Sequence, residues 1–120
     1  MTDAHDKNAA ATLKAVPTTK VLAIGTLSGE LTLAKRKEIM PQEVADTLHL
    51  YLDGKIDQWW SRQDMKGVLF LMSMTTVEAA QEALGKLPLV EAGFLHFDYM
   101  ALGPLRPLNL LLGDFPKAQG

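Results

Sequence analysis

Residues 56–74 read IDQWWSRQDMKGVLFLMSM, and the expected topology of the chain follows from this segment. Two β-favouring runs, residues 56–62 and residues 68–74, flank a polar segment that has Asp64 near its start and Gly67 at its end. Asp and Gly at these places favour a tight turn, so Asp64 is expected to serve the turn. The segment therefore predicts a β-hairpin.

A strand and a helix are predicted ahead of the hairpin. Residues 20–28 (KVLAIGTLS) form a short apolar run closed by Ser and Gly, which is typical of a buried strand. Further apolar residues recur at spacings of three and four, which predicts an amphipathic helix that ends at Gly54. Pro41 is disfavoured inside a helix, so the helix is expected to start near Pro41, the alternative being a kink there. The expected apolar stripe consists of Met40, Val44, Leu48 and Tyr51 or Leu52.

A second helix and a last strand are predicted after the hairpin. Thr75 and Glu78 match a capping box, in which the hydroxyl and the carboxylate each accept a hydrogen bond from a free backbone N–H. Pro88, shortly after Gly85, is expected to end this helix, and residues 94–101 (FLHFDYMA) form the last strand. The order β-α-β-β-α-β predicts an α+β, ferredoxin-like fold, with one antiparallel sheet and two helices on one of its faces.

The face of this sheet opposite the helices is expected to need its own cover. Successive side chains of a strand point in opposite directions, and in residues 68–74 both sets are largely apolar. Two helices cover only one face of the sheet. The sequence therefore predicts a homodimer, or a multiple of dimers, whose sheets enclose a shared interior as in a dimeric α+β barrel.

Composition narrows the classes of function. The 120 residues contain no cysteine, so disulfides, thiolate metal sites and a cysteine nucleophile are excluded. The net charge of -2 makes nucleic acid a poor partner, and residues 35–37 (KRK) are interpreted as the solvated start of a helix. The sequence has neither a signal-peptide pattern nor an apolar run of about 18 residues, so we expect a cytoplasmic protein that does not bind a membrane.

Three segments are expected along the chain. Residues 1–18 bury little and show no period, which predicts a flexible N-terminal tail. Residues 19–103 form the α+β domain, and residues 104–120 form an apolar C-terminal extension without a strand or helix period. This extension is expected to cover either the chain's own pocket or that of a neighbouring subunit.

The central part of the chain carries the pattern of a known family. Residues 54–102 contain a GK-I-x-x-WW segment, the hairpin, a helix that opens with T-V-E-A, and Leu87-Pro88-Leu89 ahead of a strand with Asp98. In this pattern the chain resembles muconolactone isomerases, which belong to the dimeric α+β barrel superfamily. The resemblance implies a cofactor-independent enzyme that moves a proton along an unsaturated lactone acid. The matching residues are Trp60, Leu87, Pro88, Leu89 and Asp98, of which only Asp98 has a titratable side chain.

Three residues are candidates for catalysis. A proton shift along a lactone needs a base beside a carbon acid and a group that holds the substrate carboxylate. His96 and Asp98 are two apart on one strand, so they share a face and are expected to act as base and orienting partner, with either of them the proton carrier. Arg62 is expected to clamp a carboxylate through its planar guanidinium.

Four further residues are predicted to bind the substrate, a small apolar or carboxylate-bearing molecule. Gln58 and Trp60 share a strand face with Arg62, and together with Phe70 and Met72 they are expected to form an apolar box with a few polar groups. No cofactor and no metal are expected, because the sequence has no Gly-rich phosphate loop and neither G-x-S-x-G nor H-E-x-x-H.

Two alternatives remain open. In the first, the protein is a non-catalytic dimer that binds a small apolar acid, and His96 and Asp98 only hold structure or ligand. In the second, the protein is a monooxygenase-like member of the same superfamily that acts on a quinone-like or haem-like ligand.

Overall fold

The computed structural model describes residues 16–106. Most of the predicted N-terminal tail (residues 1–18) and most of the predicted extension (residues 104–120) lie outside the described residues. The described strands are β1 (Lys20–Leu27), β2 (Ile56–Ser61), β3 (Gly67–Met72) and β4 (Leu95–Leu102). The described helices are α1 (Leu33–Leu52), α2 (Val77–Gly85) and α3 (Pro88–Glu91).

The four strands form one sheet in the order β2-β3-β1-β4, and all neighbouring strands are antiparallel. This confirms the predicted α+β class and antiparallel sheet, and the arrangement is compatible with a ferredoxin-like fold. The short helix α3 is not among the predicted elements, because Pro88 by itself indicates only the end of α2. Pro88 instead occupies the first turn of a new helix, where its missing N–H costs nothing.

The expected start of α1 near Pro41 is wrong. The helix has 20 residues and begins at Leu33, after the N-cap Thr32, whose Oγ1 accepts a hydrogen bond from the Lys35 N–H at 3.1 Å. Pro41 lies inside the helix and removes one backbone donor. The cap and the good helix formers in the first two turns offset this loss.

The predicted cap of α2 is displaced by one residue. Thr76, and not Thr75, is the N-cap, and its Oγ1 accepts a hydrogen bond from the Ala79 N–H at 3.1 Å. Thr75 and Thr76 carry the same hydroxyl group, so the local sequence does not determine which of them is the N-cap.

The hydrophobic core lies on one face of the sheet. In β4, Leu95 and Phe97 are buried and Tyr99 is half-buried, whereas His96 and Asp98 are exposed. This confirms the alternation predicted for the last strand. The core residues come from the strands, α2, α3 and the segment between these helices, and they are Val21, Ala23, Ile56, Phe70, Met72, Ala80, Leu84, Leu87, Leu89, Leu95 and Phe97.

We call the opposite side of the sheet the open face. It carries Leu22 and Ile24 of β1 and their register partners Leu71 and Leu69 of β3, all half-buried and none of them part of the core cluster. Trp60 of β2 and Met100 of β4 extend this apolar surface and are exposed. Within residues 16–106, no helix is long and apolar enough to cross a membrane.

Gly67 permits the close approach of β3 to β1. A Cβ atom at this position would collide with the carbonyl oxygen of Gly25 on the neighbouring strand. We expect Gly67→Ala to lower the free energy of unfolding by an amount at the upper end of the roughly 1–3 kcal/mol typical of overpacked sites. Urea unfolding followed by circular dichroism measures this loss.

Gly85→Ala is the matched control. Gly85 lies in α2, and a Cβ atom there would meet no other atom within 4 Å. Alanine is the better helix former, so we expect no loss of stability and a gain of up to about 1 kcal/mol. Equal effects of the two substitutions would contradict the role given to Gly67.

Candidate functional site

A cavity of about 620 Å³ lies between α1 and the core-facing side of the sheet. Its volume falls within the roughly 300–1,000 Å³ typical of small-molecule sites. Most of its lining is apolar. The apolar lining residues are Leu27, Leu31, Met40, Val44, Leu48, Trp59, Trp60, Met65, Val68, Phe70, Leu89 and Leu95.

Glu43 is the acidic residue in the lining of this cavity. It projects from α1 and is buried, with only 6% of its surface exposed. Its Oε1 accepts a hydrogen bond from the Leu89 N–H at 2.9 Å. This N–H belongs to the first turn of α3, whose N-cap Leu87 has no side-chain acceptor. Glu43 therefore links α1 to α3 and supplies the missing cap.

The second carboxylate oxygen of Glu43 remains accessible. Among residues 16–106, no fully buried side-chain oxygen or nitrogen lacks a hydrogen-bond partner. Glu43 Oε2 has no hydrogen-bond partner among these residues. It is therefore not fully buried and retains accessible surface. Because Glu43 lines the cavity, this oxygen is the one that is not committed to Leu89 there.

The pKa of Glu43 is raised above its ordinary value. Burial has the largest effect, because the cavity wall solvates the carboxylate poorly, and the negative charge of Asp46 adds to it. The hydrogen bond from Leu89 acts in the opposite direction and lowers the pKa. A carboxyl group with a raised pKa, beside a cavity, is suited to accept and return a proton.

Glu43 was not predicted from the sequence, because the buried stripe of α1 differs from the one that the apolar spacing indicates. Val44 and Leu48 of the predicted stripe are 57% and 45% exposed, although both line the cavity. Arg36, Met40, Glu43 and Thr47 all line the cavity, at spacings of four, three and four. These spacings place all four residues on one side of α1. A charged residue on the same side of the helix as Met40 was therefore the feature of the sequence that could have identified Glu43.

Arg62 lies at the cavity, but its guanidinium already has several partners. Nη1 donates to Thr26 Oγ1 at 2.7 Å and to the Gly25 carbonyl at 3.2 Å, and Nη2 donates to Asp64 Oδ2 at 2.6 Å. Gly67 lies opposite Thr26 in the pairing of β1 with β3, so no side chain of β3 separates Arg62 from Thr26. The predicted carboxylate clamp is therefore engaged within the protein.

Asp64 closes the turn, as expected from the sequence. Its Oδ1 accepts a hydrogen bond from the Lys66 N–H at 2.9 Å, and its Oδ2 accepts the bond from Arg62. The Lys66 N–H and the Arg62 guanidinium lower the pKa of Asp64.

His96 and Asp98 form a pair that is separate from this cavity. Their side chains share the open face, as predicted, and His96 Nε2 lies 3.4 Å from Asp98 Oδ1. Both side chains are exposed, by 79% and 73%. They line a shallow depression of about 380 Å³ together with Thr26 and Ser28. The structure does not bring the pair together with Arg62 in one cavity.

The four predicted substrate-binding residues do not form one box. The register pairs Trp59 with Phe70 and Trp60 with Leu69, so Gln58 and Trp60 share the open face, while Phe70 faces the helices. Trp60 and Phe70 line the cavity, whereas Gln58 does not. Met72 is fully buried in the core and has no surface to offer a ligand. The prediction combined side chains from both faces of the hairpin, because the pairing register was not known from the sequence.

An aromatic stack lies at the outer edge of the cavity. The rings of Tyr51 and Trp59 are 4.1 Å apart between centroids and nearly parallel. Trp59 also lines the cavity, so its fluorescence is a natural reporter of ligand binding. Across residues 16–106, no group of three or more His, Asp or Glu side chains is arranged to hold a metal ion.

Comparison with known proteins gives no match, either to a family model or to a curated protein sequence. The resemblance to muconolactone isomerases therefore stays a prediction from the sequence.

The raised pKa of Glu43 predicts a specific pH dependence of stability. The folded protein holds this proton more tightly than the unfolded chain, so its contribution to stability is present below the unfolded pKa near 4.5. This contribution is lost as the pH rises through the folded pKa. We expect the unfolding free energy of the wild type, minus that of Glu43→Gln, to fall as the pH rises from about 4.5 to 8.

Glu82→Gln provides the control for this measurement, because Glu82 is an exposed carboxylate of α2. Urea unfolding of the three proteins at each pH gives the two differences. A flat difference for Glu43→Gln, or one that rises with pH, would contradict the raised pKa.

Proposed function

We propose that this protein binds a small, mainly apolar molecule in the cavity between α1 and the sheet and moves a proton within it without a cofactor. The proton carrier is Glu43. The observation that carries this proposal is a buried carboxyl group with a raised pKa, one oxygen of which remains accessible at an apolar cavity.

The reaction that fits best is the isomerisation of a double bond in an unsaturated lactone. The Glu43 carboxylate takes a proton from the carbon next to the double bond, and the electron pair delocalises toward the lactone carbonyl. The carboxyl group then returns the proton to the far end of the conjugated system, so the product is an isomer of the substrate. Thr47, one helical turn beyond Glu43, lines the same cavity and offers a hydroxyl donor to the developing enolate oxygen.

The choice of a lactone rests on the resemblance of residues 54–102 to muconolactone isomerases. Glu43 lies outside that segment, so the proposal replaces Asp98 and His96 as the proton carriers expected from the sequence. His96 and Asp98 are solvated on the open face of the described chain, and solvated groups hold a carbon acid less precisely than a cavity does.

A non-catalytic ligand-binding protein is the second candidate. The hydrogen bond between Glu43 and the Leu89 N–H favours it, because this bond alone gives Glu43 a structural role as the cap of α3. In that case the same cavity binds a small apolar acid and no proton is transferred.

We also propose that two copies pair through their open faces to form a dimeric barrel. The half-buried leucines and isoleucine of this face, with the exposed Trp60 and Met100, form an apolar surface that favours a second sheet as cover. Most of the cavity lining lies on the helix side of the sheet, and Trp60 borders both the cavity and the proposed interface, so this pairing leaves the cavity available to ligand from the helix side.

Glu43→Gln tests the proton transfer. Glutamine keeps an oxygen that can accept the Leu89 hydrogen bond but cannot carry the proton, so we expect the fold and the cavity to persist. With muconolactone or α-angelica lactone in D₂O, enzyme-dependent deuterium uptake measured by proton NMR should fall about 10²- to 10⁴-fold. Ligand binding measured by tryptophan fluorescence should change little.

The controls separate the candidate functions. Glu82→Gln should keep full exchange, since its carboxylate lies outside the cavity. Exchange that survives Glu43→Gln and disappears in Asp98→Asn would move the chemistry to the open face. Saturable binding with no exchange in the wild type would favour the non-catalytic protein.

Leu71→Glu tests the dimer. Leu71 lies in the middle of the open face, so a charge there should prevent two sheets from packing together. We expect the wild type to show twice the chain mass in sedimentation equilibrium and Leu71→Glu to show a monomer that retains its circular dichroism spectrum. Leu33→Glu, at an exposed position of α1, should remain a dimer. A wild-type monomer would refute the pairing.

A further inference from the structure

Charged side chains line the cavity at three described positions: Arg36, Glu43 and Arg62. Arg62 donates to Thr26, Gly25 and Asp64, so most of its donor capacity is used and its charge is balanced by Asp64. Glu43 is held by Leu89 at the buried wall. Arg36 is the third charged residue of the lining, and it differs from Arg62 and Glu43 because no group within residues 16–106 holds its side chain.

The guanidinium of Arg36 has no hydrogen-bond or ion-pair partner among residues 16–106. The nearby carboxylate of Glu38 pairs with Lys35 at 3.4 Å, and the Arg36 backbone N–H donates to the Thr32 carbonyl within the helix. Arg36 is exposed and also lines the cavity, which places this residue at the mouth of the cavity. Its guanidinium carries a planar fork of N–H donors. It is therefore available to an anionic group of a ligand.

Arg36 and Glu43 lie about two turns apart on one helical stripe. They are seven residues apart, which corresponds to about 10 Å along the axis of α1. Met40 lies between them and lines the cavity with the apolar side chains of the sheet. A ligand along this stripe meets a cation at the mouth, then an apolar wall, and then the Glu43 carboxyl.

We propose that Arg36 binds the carboxylate of the ligand, and that the cavity selects amphipathic carboxylic acids whose apolar body extends from Arg36 toward Glu43. This inference rests on the proposed function, since it assigns the class of ligand to the same cavity. The like charge of the ionised Glu43 disfavours the reversed orientation, so Arg36 determines both the specificity and the direction in which the ligand lies.

The test compares matched acids and amides. The probes are 4-phenylbutanoate with 4-phenylbutanamide, and octanoate with octanamide, each titrated against the quenching of tryptophan fluorescence. We expect the wild type to bind each acid at least about 10-fold more tightly than its amide. Arg36→Gln should weaken the binding of the acids about 10- to 100-fold and leave that of the amides unchanged. Arg36→Lys should recover part of the loss, because it keeps the charge without the fork.

Lys37→Gln is the matched control. It removes one positive charge from the same turn of α1, but Lys37 does not line the cavity. Its affinity for the acids should match that of the wild type. An equal loss of affinity for the acids in Lys37→Gln and Arg36→Gln would show that the overall positive charge of this turn, and not Arg36 itself, attracts the acids. That result would overturn the inference.

Two further outcomes separate this inference from the proposed function. Amides that bind as tightly as acids, or an Arg36→Gln variant that loses both equally, would refute the role of Arg36. Loss of proton exchange in Glu43→Gln would then still support the cavity as a site of proton transfer. Absence of saturable binding for every probe in the wild type would overturn both.

Discussion

The register between β2 and β3 is the constraint on which the rest of the structure depends. Side chains alternate between the two faces of a strand, so a slip of one residue would move every side chain of β2 to the opposite face relative to β3. The observed register pairs Trp59 with Phe70 and Trp60 with Leu69. Since Phe70 and Met72 are buried on the helix side, this register places Trp59 on the helix side and Trp60 on the open face. Arg62 and Gly67 contribute to this register, because the arginine crosses to Thr26 only where β3 has no side chain.

On the helix side of the sheet, Glu43 has a structural role and is also the proton carrier that we propose. Its Oε1 caps the short helix α3 through Leu89, which holds α1 and α3 together at the cavity. Burial raises the pKa of Glu43, while the same hydrogen bond lowers it. A carboxylate with more donors would be held fully ionised, and one with no donor would be costly to bury at all. For the proton transfer that we propose, one hydrogen bond holds the carboxyl group in place and leaves its second oxygen free.

Arg62 and Arg36 both line the cavity, but their side chains differ in what they contact. Arg62 is tied to the backbone of β1 and to the turn residue Asp64, so it stabilises the end of the hairpin. Within residues 16–106, Arg36 has no such partner, and it lies at the mouth, in a basic segment that the sequence identified only as a solvated helix start. A charge that is satisfied within the fold supports structure, whereas a free charge at a cavity remains available to a ligand.

The strands, the hairpin turn and the alternation in β4 were predictable from the sequence, because each depends on neighbours a few residues away. The role of Asp64 in the turn was predictable for the same reason. The start of α1 was not, because the cap at Thr32 and the residues after it outweigh the local penalty of Pro41. The site was not predictable either. Glu43 becomes a site residue only through Leu89, 46 positions away, and through a cavity that the helix forms by packing on the sheet. Periodicity gives the faces of each element, but only tertiary packing decides which faces meet and which polar atoms lose their water.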